Sequence, residues 1–124
     1  MATLTYVKFN SFVEAAMEKK HNLATDQLKV ALTNTAPVAA NSVYADLTAP
    51  LATTNLSGAT PFNITTTSSS QTAGTYSLVL VDLTLTATGS VGPFRYIVIY
   101  NDTATNDELI GYFDIGSNIT LSSG

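Results

Sequence analysis

Cysteine is absent from the 124 residues, which excludes a disulfide framework, a thiol nucleophile and thiolate metal ligation and leaves the redox compartment open. Tryptophan is absent as well, and His21 is the one histidine. Charge is scarce: Asp, Glu, Lys and Arg make up 11% of the chain, against about a quarter in an ordinary globular domain. The five basic residues are scattered and the net charge is −4. Such a chain cannot neutralise a run of phosphates, so nucleic acid is excluded as a partner. No stretch approaches the roughly 18 apolar residues needed to cross a bilayer. The opening MATLTYVKFNSF also lacks the basic-then-apolar order of a secretory signal. A soluble chain outside the general secretory route is expected, without a membrane partner.

Apolar residues are plentiful at 45%, and this length suffices to bury one core without metal or disulfide staples. Thr, Ser and Asn must supply most of the polar surface. A thinly charged surface suits a protein packed against others, because charge is depleted from the cores of interfaces.

The richest stretch is Gly74 to Asp114, which reads as three consecutive strands of one antiparallel sheet. Leu78 to Val81 is a short apolar run, continued by Leu83, Leu85 and Ala87 alternating with Asp82, Thr84 and Thr86. Phe94, Tyr96, Val98 and Tyr100 share one face of the next strand, with Ile97 and Ile99 on the other. A polar turn over residues 101–107 leads to the third strand, Leu109 to Ile115.

Upstream, Met1 to Val7 has β character. Phe9, Phe12, Val13, Ala16 and Met17 then fall at helical spacing, with Asn10 or Ser11 to cap and Lys19, Lys20, His21 and Asn22 to end the helix. The spacing predicts about three turns lying with an aromatic stripe on the sheet. Leu28, Val30 and Leu32 alternate as a half-buried strand over residues 26–33. Residues 42–47 suit a turn of helix or a short 3₁₀ segment. Residues 48–63 read as a long surface excursion, and 64–71 as an exposed Thr/Ser edge strand. Asn118 to Leu121 begins another strand, and Ser122-Ser123-Gly124 is a turn signal with no partner after it. That reads as an unfinished hairpin: the record is cut short, the strand is dispensable, or a neighbouring subunit completes the edge. The expected fold is mainly β (α+β), a single antiparallel β-sandwich or jelly-roll-like domain with one amphipathic N-terminal helix.

No residue pattern points to catalysis. His21 follows two lysines without a Ser, Asp or Cys partner at triad spacing, and reads as a helix-end or surface residue. Asp102, Asn106, Asp107 and Glu108 miss EF-hand spacing and read as turn formers rather than calcium ligands. Asp82 and Arg95 form a cross-strand ion pair if the register sets them opposite, and otherwise face solvent on one sheet edge. The four Asn-X-Ser/Thr matches arise by chance in such a composition, and the glycines fit no phosphate loop. No cofactor or metal is expected.

The segments KFNSFVEAAMEKKHNL, LKVALTNTAPVAANSVYADLT and SSSQTAGTYSLVLVDLTLTATGSVGPFRYIVIYNDTATNDELIGYFDIGS resemble a family of small virion structural proteins of tailed bacteriophages. Some of these, or proteins much like them, are capsid decoration (cement) proteins. The resemblance spans nearly the whole chain except residues 50–63. Members of that family continue past the position of Gly124 with another β-rich stretch. The resemblance implies a non-enzymatic role on the outer capsid surface, made in the bacterial cytoplasm, with the major capsid protein and a homotrimer of itself as partners. Position and composition then single out contact residues: Thr3, Leu4 and Tyr6 on an amino-terminal arm, Leu51, Leu56 and Phe62 on the excursion, and Ile119 and Leu121 at the end. Two other readings stay open, a tail, neck or fibre-associated virion protein and a glycan-binding β-sandwich using Tyr44, Tyr100 and Tyr112.

Overall fold

The longest ladder among the described residues joins the two longest strands. A computed structural model, which describes residues 5–123, orders the elements as β1 (Thr5–Lys8), α1 (Ser11–Met17), β2 (Leu28–Thr33), β3 (Asn63–Ile64), β4 (Thr66–Thr72), β5 (Thr75–Leu80), β6 (Val91–Asn101) and β7 (Leu109–Leu121). A 3₁₀ turn at Tyr44–Asp46 lies between β2 and β3. Five strands form one antiparallel sheet in the order β1-β7-β6-β2-β3, and β4 and β5 form a separate two-stranded ribbon. The fold is mainly β and sandwich-like, with one helix.

β6 is the centre of the sheet because its residues are apolar in both directions. Val98 and Tyr100 join Phe9, Ala31, Leu47 and Leu109 on one face, with Tyr44 and Tyr112 packed against them. Ile97 lies on the other face with Leu32, Phe94 and Ile115. Phe94 was expected beside Tyr96 and Val98. Register shifts on both sides of it, between Val91 and Phe94 and between Phe94 and Tyr96, place it in the opposite cluster instead.

The neighbours of β6 differ from the sequence expectation. The run from Leu78 to Ala87 does not pair with it. β5 ends at Leu80 and pairs with β4, and residues 81–86 continue without strand pairing. The place beside β6 belongs to β2, which pairs with it from Leu28↔Asn101 to Thr33↔Tyr96. A strand inside a sheet covered on both faces must bury both sets of side chains. β2 does so, with Ala31 and Thr33 as buried as Leu28, Val30 and Leu32. It is therefore not half-buried. Residues 81–87 offer Asp82, Thr84 and Thr86 on alternate positions and cannot fill that place.

α1 is also shorter than predicted, seven residues rather than three turns. Lys19 adopts the left-handed conformation (φ 68°). Its N–H donates to Ala16 O and that of Lys20 to Ala15 O, the paired bonds of a Schellman stop. Glycine normally marks that position, so a lysine there hides the helix end from a sequence reading. The expected aromatic stripe does not lie on the sheet either. Phe9 is buried ahead of the helix, Ala15 is the buried helical residue, and Val13 and Met17 are 50% and 83% exposed.

The end of the chain carries the third correction. Asn118–Leu121 is not a new strand awaiting a partner but the continuation of β7, whose Ile119 pairs with Phe94 and Leu121 with Val91. Gly116, at φ 94°, absorbs an irregularity within the strand instead of starting a turn.

Candidate contact surface

Charge is divided sharply along this chain. Of its nine acidic and five basic residues, Asp82 alone falls between Leu47 and Phe94. The fold turns that division into two different regions.

The charged region surrounds the β6–β7 turn. Asn101, fully buried at the end of β6, organises it. Its Oδ1 accepts from the backbone N–H groups of Thr103 (3.0 Å) and Ala104 (3.1 Å). That fixes the amide orientation, so Nδ2 donates to Asp26 Oδ2 (2.6 Å) and to His21 Nδ1 (3.0 Å). His21 must therefore carry its proton on Nε2 when neutral. It is buried against the Phe12 ring rather than at the surface as the sequence reading had it, because the Schellman stop swings the chain inward directly after Lys20. Desolvation lowers the His21 pKa, with Lys20 acting in the same direction and Glu108 and Asp26 in the opposite one. His21 Nε2 and Glu108 Oε2 are buried without a protein partner. A polar cavity of about 540 Å³ opens beside them, lined by residues including Lys20, Asn22, Asp26, Thr103 and Glu108. A buried water is the ordinary occupant of such a place. Among the described residues no group of three or more His, Asp or Glu side chains is arranged to hold a metal ion.

Of the two arrangements open to Asp82 and Arg95, the cross-strand pair does not form. Arg95 donates from Nε to Asp114 Oδ1 (2.9 Å) and from Nη2 to Asp114 Oδ2 (3.3 Å), because β7 and not the 81–86 segment is its neighbour. The guanidinium holds the Asp114 carboxyl below the usual carboxylate range, helped by the N–H of Gly116.

The uncharged region has two parts. The first is an apolar trough of about 790 Å³ on one face of the sheet. Its floor includes Ile97, Ile99, Phe113 and Ile115, and its wall is the irregular stretch from Leu80 to Leu85. Asp82 is the one ionisable acid or base among its lining residues. Leucines 83 and 85 alternate as a strand would, but they serve as a lid over apolar sheet residues instead of joining a ladder.

The second part is the β4–β5 ribbon. Its strands pair from Thr66↔Leu80 to Thr72↔Thr75, with a left-handed Ala73-Gly74 turn at the tip. Substantial packing against any other element is missing among the described residues. Tyr76 and Val79 are 49% and 46% exposed on it.

The residues singled out from sequence distribute between these parts. Thr3 and Leu4 lie outside the described residues. Tyr6 is 48% exposed and rests on Phe113, with its ring over Gly111, where a Cβ would collide with it. Leu51, Phe62, Ile119 and Leu121 pack against the Leu32–Phe94–Ile115 cluster, and Ile119 and Leu121 also line the trough. Leu56 is buried and bridges to Ala87. The excursion is thus tied down, with Ser57 N donating to Thr86 O (2.8 Å), Thr88 N to Asn55 O (2.7 Å) and Leu51 N to Leu32 O (2.8 Å). Tyr44 and Tyr100 stack on each other (centroids 4.8 Å apart) inside the core, and burial helps push the Tyr100 pKa to about 12. They offer no exposed platform for a sugar. The trough floor and the ribbon tip were not singled out from sequence. For the ribbon the signal was present in the charge-free run from Leu47 to Val81, whereas the trough floor belongs to β6 and β7 and carried no such signal.

No family model, no curated protein and no solved structure matches this chain.

Proposed function

We propose that this chain is a structural protein of a virion, a decoration (cement) subunit that binds the outer surface of a bacteriophage head and clamps neighbouring major capsid subunits. The observation that supports a structural role is scarce charge on two neighbouring parts, an apolar trough lined from β2, β6, β7 and residues 80–85 with Asp82 as its one ionisable acid or base, and an unpacked ribbon with none. Burying such a surface leaves almost no charge without a partner, which is the chief penalty in forming a protein interface. The sequence resemblance supplies the virion setting. Attachment needs no chemistry: modest contacts repeated over a lattice become collectively strong, and binding the assembled shell but not its separated parts stabilises the shell by mass action.

The test is cosedimentation of the purified chain with assembled heads, followed by particle reconstruction to count and locate bound copies. Many copies spread over the head are expected. A handful at one vertex or along the tail would move the chain to the neck, tail or fibre, and no binding to any virion part would end the structural reading.

A further inference from the structure

The ribbon and the trough each lack something that the other has. A two-stranded ribbon is marginal in water without a third strand or an apolar face to pack on. Among the described residues this ribbon has no third strand, and only its stem at Leu80 reaches the apolar sheet face. On β5, Tyr76, Leu78 and Leu80 share one face, so the ribbon carries an apolar row. The trough is a half-open apolar cleft with no strand or helix laid into it.

The ribbon cannot fold back to fill the trough of its own chain. Its stem at Leu80–Val81 already forms the trough wall. From there seven residues of β4 carry the tip roughly 20 Å outward. Charge selects the occupant. The chain is net acidic, so two copies repel unless they meet through neutral surface. The whole ribbon from Thr66 to Leu80 contains no acidic or basic residue, and Asp82 is the lone charge in the trough lining.

We propose that the β4–β5 ribbon of one copy seats in the apolar trough of a second copy, so that the protein self-associates by ribbon exchange. This deepens the assembly reading by naming a second copy as partner, and rests on it only in taking the neutral half as the contact half. The contact is head-to-tail, ribbon into trough, and closes either as a reciprocal pair or as a small ring.

The absence of cysteine makes the test direct. Ser70→Cys places a thiol on the ribbon and Thr84→Cys one at the trough rim, both at exposed positions. Mixed under mild oxidation, the two variants should form a disulfide-linked species of twice the 13.0 kDa chain containing one of each, in excess over either variant linked to itself. Light scattering should give a multiple of the chain mass for the wild type, falling to one chain for Tyr76→Lys/Leu78→Lys with an unchanged far-ultraviolet circular dichroism spectrum. A wild type that keeps the single-chain mass at every concentration overturns the proposal. So does an oligomer that survives the double lysine variant, or one whose mixed cross-link is no more abundant than the self-links. Head binding is scored separately. A single-chain species that coats heads sinks the exchange and leaves decoration standing, while an exchanged oligomer that ignores heads does the reverse.

Discussion

Replacing Asn101 by alanine should be among the most damaging single changes in this protein, although the residue is polar. Its side chain makes four hydrogen bonds from a fully buried position. Two hold backbone N–H groups of the β6–β7 turn and one holds the neutral His21 ring, each worth about 1 kcal/mol net. The fourth meets the Asp26 carboxylate, where a charge-assisted bond is worth about 1.5–3 kcal/mol. Asp26 is partly exposed and recovers some of this from water, so a total near 4 kcal/mol is expected. The effect spans three segments, because Asn101 ties the chain after α1 to the turn and to the start of β2. Urea denaturation at pH 7, followed by circular dichroism, measures the loss, and an alanine at the exposed Thr105 on the same turn serves as a control expected within about 0.5 kcal/mol. A loss below about 1 kcal/mol for Asn101→Ala would refute the reasoning, since it would mean that water or a shifted turn replaces all four bonds.

Three more outcomes follow from the same geometry. His21 has a folded pKa below its ordinary value because burial disfavours the imidazolium. The unfolded chain therefore takes up the proton first, and His21 contributes stability that is complete above about pH 6.5 and lost as pH falls toward the folded pKa; His21→Gln should flatten the decline in urea midpoint between about pH 7 and pH 5, and an unchanged slope would contradict it. Phe9→Ala should cost about 3–5 kcal/mol, because the ring is wholly buried against Tyr112 of β7 and the core cluster around Val98, whereas Met17→Ala should change stability by less than about 0.5 kcal/mol; equal costs in chemical denaturation would put the helix face against the core after all. Gly111→Val should expel the Tyr6 ring from its seat over β7, read as increased solvent accessibility of Tyr6, with a cost of about 1–3 kcal/mol; an unmoved ring would contradict the packing.

Much of the fold was legible in the sequence where a single periodicity ruled. β1, the cores of β6 and β7, the 3₁₀ turn and the Thr/Ser strand announce themselves by alternation or composition. The failures share a cause: a residue in a conformation that its type seldom adopts, or a strand whose partner lies far away in sequence. Lys19 in the glycine position of a helix stop shortened α1 and sent His21 inward. Leucines 83 and 85 alternate as strand residues do, yet the place they would occupy goes to β2, which is far away in sequence and buried on both faces. Asp82 and Arg95 were separated by the same exchange of neighbours. Chain order favours a hairpin between consecutive strands, and burial on both faces overrides it.

The candidate surface was legible only in outline. Scarce charge suggested contact with other proteins, and position alone chose the residues; of these Leu56 is buried, Leu51, Phe62, Ile119 and Leu121 are half-buried against one core cluster, and Tyr6 is exposed. Leu51, Leu56 and Phe62 sit in a segment rich in Pro, Gly and Thr that reads as mobile, and yet backbone hydrogen bonds fasten it to residues 86–88 and to β2. Those bonds hold the excursion down, and Leu51 and Phe62 pack on the core cluster beneath it. The uncovered parts are the trough floor, which no local pattern distinguishes from core, and the ribbon tip, which looks like ordinary polar hairpin. In the proposed exchange they form a pair through the distribution of charge, since a neutral ribbon and a trough with a single acid can meet between two acidic chains with little repulsion.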